Sequence, residues 1–203
     1  MTDDTSDDEV EFDALDPEVQ RLTIMARFAR GVIDVPWFSR LGEPLSADDI
    51  AAAEAYLVAA GFPDAAVAAV ETWEEAEMVA ENPAWNTDWW EAEEQLKAGL
   101  TEQALQHVHE MELANALNHL SAQCAGVALE AIGNVAIDAG FTPQSDEESF
   151  LTAAAGWAVA GAYQASLVLA AGADEDHPFA LKFRLFEQGR LPLGIAGTTF
   201  SIF

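Results

Sequence analysis

Phe150 to Ala173 reads FLTAAAGWAVAGAYQASLVLAAGA, a run with no charged residue. By length such a run could cross a bilayer. Its composition points elsewhere: it is largely alanine and glycine, it carries Thr152, Gln164 and Ser166, and it has no basic flanks. Small residues at Gly156, Ala160, Gly161 and Ala165 permit close helix approach, and a helix apolar on all sides is what the centre of a bundle requires. The run is therefore expected to be a buried central helix, and the fold an all-α bundle of about six helices.

Working outward, Gly172 ends this helix, and Ser145-Asp-Glu-Glu148 is a capping box that would open it. Downstream, His177-Pro178 starts a short helix closed by Gly189, and the tail LPLGIAGTTFSIF is extended and apolar. Upstream, Thr101 is expected to open one long helix through His119 to Ala139, stopped by Gly140. A helix through Trp89 and Glu94 would precede it and end near Gly99, and another would run from Asp64 to about Glu81. Ser46 and Asp49 form a capping box for a helix ended by Gly61, and Pro17 to Gly31 has helical periodicity. Met1 to Asp16 is an acidic stretch with few apolar anchors, expected to be a disordered tail on a bundle domain spanning 17–203.

Eight Lys and Arg face 36 Asp and Glu, a formal charge of −28, and only Lys97 and Lys182 are lysines. Direct binding to nucleic acid or to an anionic membrane needs cations and is disfavoured. The acidity suits either a solvated shell in a salty cytosol or attraction of a basic protein partner. A third reading is an acidic nucleic-acid mimic or toxin-neutralising protein. Lone Cys124 cannot form an internal disulfide, and the first residues lack the basic start and apolar run of a secretory signal, so a cytoplasmic location is expected.

Three of the four histidines fall in QHVHEMELANALNH, residues 106–119. On one continuous helix, His107 and Glu110 face solvent, whereas His109, Glu112, His119 and Gln123 follow a ridge beside the core. His109 and His119 are roughly 15 Å apart by the helix rise, so only His109 and Glu112 could share a divalent transition metal. The di-iron signature Glu-x-x-His is absent; the order here is reversed. Glu71, Glu74, Glu75, Glu91 or Glu94 would have to complete such a site.

Trp85, Trp89 and Trp90 surround a helix start, and adjacent Trp89 and Trp90 cannot point the same way. One should enter the core, with the other at a junction, pocket or interface; packing of the group on Trp37 and Phe38 is the simpler alternative. The C-terminal helix and strand should cover the core, with the cations Lys182, Arg184 and Arg190 meeting the acidic surface, or, if exposed, serve as an arm for a homodimer. No serine-hydrolase elbow, phosphate loop or dinucleotide fingerprint is present. The leading expectation is a non-enzymatic binding or accessory protein without a cofactor, acting on a basic protein partner through its acidic surface and tryptophans. The alternative is a metal-dependent enzyme centred on His109 and Glu112.

Overall fold

The computed structural model describes residues 16–142 and 149–203. Among these, seven helices form: α1 Pro17–Gly31, α2 Ala47–Ala60, α3 Trp73–Ala80, α4 Thr87–Ala104, α5 Glu110–Ala139, α6 Phe150–Ala171 and α7 Pro178–Glu187. Three short strands join them, β1 Ala66–Ala69, β2 Pro192–Ala196 and β3 Thr199–Ile202. The chain is thus mainly helical but not all-α. The sheet has the order β1-β3-β2, with β1 parallel and β2 antiparallel to β3.

α6 packs against α1, α4, α5 and α7, as its apolar circumference requires. Both α5 and α6 are long and apolar enough to cross a membrane, yet 61% of the most apolar window of α6 is buried by protein. One of its glycines is used for contact: a Cβ on Gly161 would lie 2.6 Å from Phe186 Cε2, so the missing atom lets α6 and α7 approach closely there. Helix ends follow local chemistry. Ser46 Oγ accepts from Asp49 N–H (3.2 Å) while Asp49 Oδ2 accepts from Ser46 N–H (2.7 Å), and Gly61, Gly140 and Gly172 end α2, α5 and α6 in the left-handed region. Asp16 caps α1, whereas the rest of the acidic stretch and the whole Ser145–Glu148 box lie outside the described residues.

Three expectations are corrected. The alanine-rich run after Asp64 is not helical at first: Ala66–Ala69 pairs in register with Thr199–Ile202, and α3 begins only at Trp73, capped by Thr72. Non-local backbone pairing overrides the helix preference of alanine. Gly99 does not end a helix. α4 passes through it to Ala104, a turn follows at 105–109, and α5 starts afresh at Glu110 with His109 as N-cap. Val108, buried at 2% exposure, pins the turn into the cluster around Leu100, Leu113 and Phe179, while Glu18 Oε1 accepts from His109 N–H (2.7 Å). Finally, Arg190 does not meet surface carboxylates; it is fully buried. All of its N–H groups are engaged, by Asp49 Oδ2 (2.9 and 3.2 Å) and the carbonyls of Arg40, Glu43 and Pro44. Beside it, Leu191 and Phe203 exchange both backbone bonds, so the apolar C-terminus is taken up within the chain.

Candidate functional site

The break at 105–109 separates the histidines. His107 lies in the turn, and His109 is exposed, with Nδ1 accepting from Met111 N–H (3.3 Å). Glu112 and His119 lie on α5 and are exposed, and Gln123 is half-buried. The ridge beside the core is therefore corrected: its alignment depended on a continuous helix, and the histidine ring is spent on a backbone cap. Among the carboxylates considered as further ligands, Glu94 pairs with Lys97 (2.6 Å) and Glu75 accepts from Glu71 N–H (3.1 Å). Among the described residues, no three His, Cys, Asp or Glu side chains converge on a point suited to a metal ion. Cys124 is buried mid-helix, and burial pushes its thiol up to about 12, far from a reactive thiolate.

The tryptophans, by contrast, are brought together. A cavity of about 810 Å³ opens between α4 and α6, floored by α7 and β2, and Trp85, Trp89, Trp90 and Trp157 line it. Sequence locality builds one wall. Asn86 caps α4, its Oδ1 accepting from Trp89 N–H (3.0 Å), and its Nδ2 reaches Gly197 O (3.1 Å). Residues Ala84 to Asn86 are thereby laid along the β2–β3 hairpin, where Trp85 bridges Ala196. Gly194, at φ 115°, makes room: a Cβ there would lie 2.7 Å from both indoles, which stack with centroids 6.3 Å apart. The opposite wall is α6, where Gly156 and Ala160 leave the space open.

As adjacency on a helix requires, Trp89 is 6% exposed and Trp90 is 60% exposed, yet both border the cavity, one at its depth and one at its rim. The group does not pack on Trp37 and Phe38, which belong to a different cluster. At depth, Lys182 Nζ donates to Glu93 Oε1 (2.7 Å) and Oε2 (2.9 Å), and sits 5.4 Å from the Trp89 ring centroid and 5.9 Å from that of Tyr56. Tyr56 O–H donates to the same Glu93 Oε1 (2.7 Å) and accepts from Trp89 Nε1–H (2.6 Å). Burial, then the Glu93 charge and its hydrogen bond, push the Tyr56 hydroxyl well above its ordinary range, so it stays a proton donor. Gln164, on the α6 wall, is 8% exposed, and its Oε1 has no hydrogen-bond partner.

Sequence reasoning singled out Trp85, Trp89 and Trp90 and missed Trp157, Tyr56, Glu93, Gln164 and Lys182. All but Glu93 come from helices other than α4, and Glu93 looks like any other acid in EAEEQLK. One signal was present: both lysines of the chain, Lys97 and Lys182, line this cavity. The chain matches no protein-family model, no curated protein and no solved structure.

Proposed function

We propose that the chain is a non-enzymatic binding protein whose seat is the tryptophan-lined cavity, and that it takes up a compact ligand with an apolar, stackable body. The observation that carries this reading is the pairing of every charge inside a large aromatic cavity. Glu93 is held by Lys182 and Tyr56, and Glu94 by Lys97. A general acid or base needs a proton near its working pH and a reactant within reach; here the deep groups hold one another, and what is offered inward is indole surface. The acidic shell belongs to the same proposal as a long-range field that gathers cationic species, a basic partner included.

Tryptophan fluorescence and thermal denaturation against a panel of soluble aromatic and alicyclic compounds test the proposal. Saturable quenching with a matching rise in melting temperature is expected, lost in Trp90→Ala and in Gly156→Leu, which fills the α6 wall. A panel in which no compound shifts either signal overturns it.

A further inference from the structure

The cavity carries the same two-residue set twice. On α4, Trp89 and Glu93 stand at i,i+4 and hold an ammonium: the Lys182 Nζ lies over the Trp89 ring and bonds both Glu93 oxygens. One position on, Trp90 and Glu94 repeat the spacing, at the rim rather than the depth. Helix geometry makes such a pair act together, because side chains four apart lie on one face. An indole face and a carboxylate together supply what a cation needs on leaving water, a quadrupole and an opposite charge. Trp157 lines the same cavity from α6.

The inner and outer sets differ in what occupies them. Lys182 reaches the inner one from another helix and is held in a nearly closed setting, with 13% and 8% side-chain exposure for Lys182 and Glu93. Among the described residues the outer carboxylate is met only by Lys97, its own i,i+3 neighbour, with 49% and 38% side-chain exposure for Glu94 and Lys97. Water screens such a pair, and a better-fitting cation displaces it readily. The chain's charge of −28 favours a positive ligand over a negative one at the mouth.

Building on the binding reading above, we infer that the cavity is selective for an organic ammonium ion, with the charged nitrogen seated between Trp90 and Glu94 and its apolar body directed toward Trp157. Lys97 is then an internal competitor that swings into solvent when the ligand arrives.

The test compares benzyltrimethylammonium with its uncharged isostere neopentylbenzene and with anionic phenylacetate, by tryptophan fluorescence and calorimetry on the full chain. The cation should bind more tightly than the isostere by roughly 3- to 30-fold, and phenylacetate most weakly. Glu94→Gln should erase the cation's advantage while leaving the isostere's affinity in place, and Lys97→Met should tighten the cation alone. Both substitutions are at exposed positions, so the fold tolerates them. An acetylated trimethyl-lysine amide distinguishes sources: tighter binding than the benzyl compound assigns the ammonium to a protein tail, weaker binding to a free small molecule. Equal affinity for cation and isostere, unmoved by Glu94→Gln, overturns the selectivity and leaves the binding reading standing. Absence of binding by all of the probes overturns the selectivity, and the binding reading falls only if the wider aromatic and alicyclic panel is silent too.

Discussion

Two buried ion pairs serve opposite ends. Arg190 and Asp49 are both fully enclosed, and every donor of the guanidinium finds an acceptor, two on the carboxylate and three on backbone carbonyls of the segment Arg40 to Pro44. Lys182 and Glu93 keep a small exposure, share their charge with Tyr56, and border an empty volume. The rigid fork of Arg suits the first role, tying a loop, a helix start and the segment after α7 to one point. A lysine's compact ammonium over two rings suits the second, in which a polar wall of the cavity is kept internally neutral. Two burials of charge need not share a purpose; what differs is whether backbone or the cavity completes the surroundings.

The contrast can be broken most severely at Arg190. Arg190→Met leaves Asp49 buried beside only Arg40 and strands three carbonyls, at a cost of about 3–5 kcal/mol in urea unfolding, whereas probe affinity of the fraction that folds is expected to hold. Lys182→Met should cost less, about 1–3 kcal/mol, because Tyr56 still donates to Glu93 and water can reach it; here ligand binding, not the fold, should suffer most.

Acid offers a second probe of the first pair. Burial raises the Asp49 carboxyl, but hydrogen bonds from the Ser46 backbone and hydroxyl and from Arg190, with the Arg190 charge, outweigh it and hold it below 3.8. A depressed carboxylate gives stability that is present above the unfolded value and lost as pH falls through the folded one. Urea midpoints taken from about pH 5 down to about pH 2 should therefore fall late in the native chain, and earlier in Arg190→Met.

Smaller effects separate capping from ligation and rim from core. His109→Ala should lose about 1 kcal/mol of stability and His109→Asp should regain it, because Asp caps a helix as well as any residue; loss of a bound transition metal in both variants, read by elemental analysis, would instead make the ring a ligand. Trp90→Ala, at the opposite extreme from Arg190, should change stability by no more than about 0.5 kcal/mol while abolishing fluorescence quenching by the probes.

How much of this was readable in the sequence depends on the range of the interaction involved. Ser46 with Asp49, the glycines after α2, α5 and α6, and His177-Pro178 are local devices, and they fall where the residues place them. β1 is not local: Ala66–Ala69 becomes a strand only because Thr199–Ile202 lies beside it. The turn before α5 has no glycine or proline to announce it, since burial of Val108 and the Glu18 contact set it. Of the candidate site, Trp85, Trp89 and Trp90 were legible as a group because they cluster in sequence, whereas Trp157 was not. Tyr56, Gln164 and Lys182 were not, since only the packing of α2, α6 and α7 brings them to α4. The histidine ridge failed for a related reason, an angular argument extended across a break.

The concentration of lysine in one place has a practical outcome. The chain's only side-chain amines are Lys97 and Lys182, both on the cavity wall. Side-chain acylation, on most proteins a scattered surface reaction, is here a reporter of one location once the α-amine is set aside: the half-exposed Lys97 should be modified before the enclosed Lys182, and mass spectrometry of the two lysine peptides would time the opening of that wall without any engineered label.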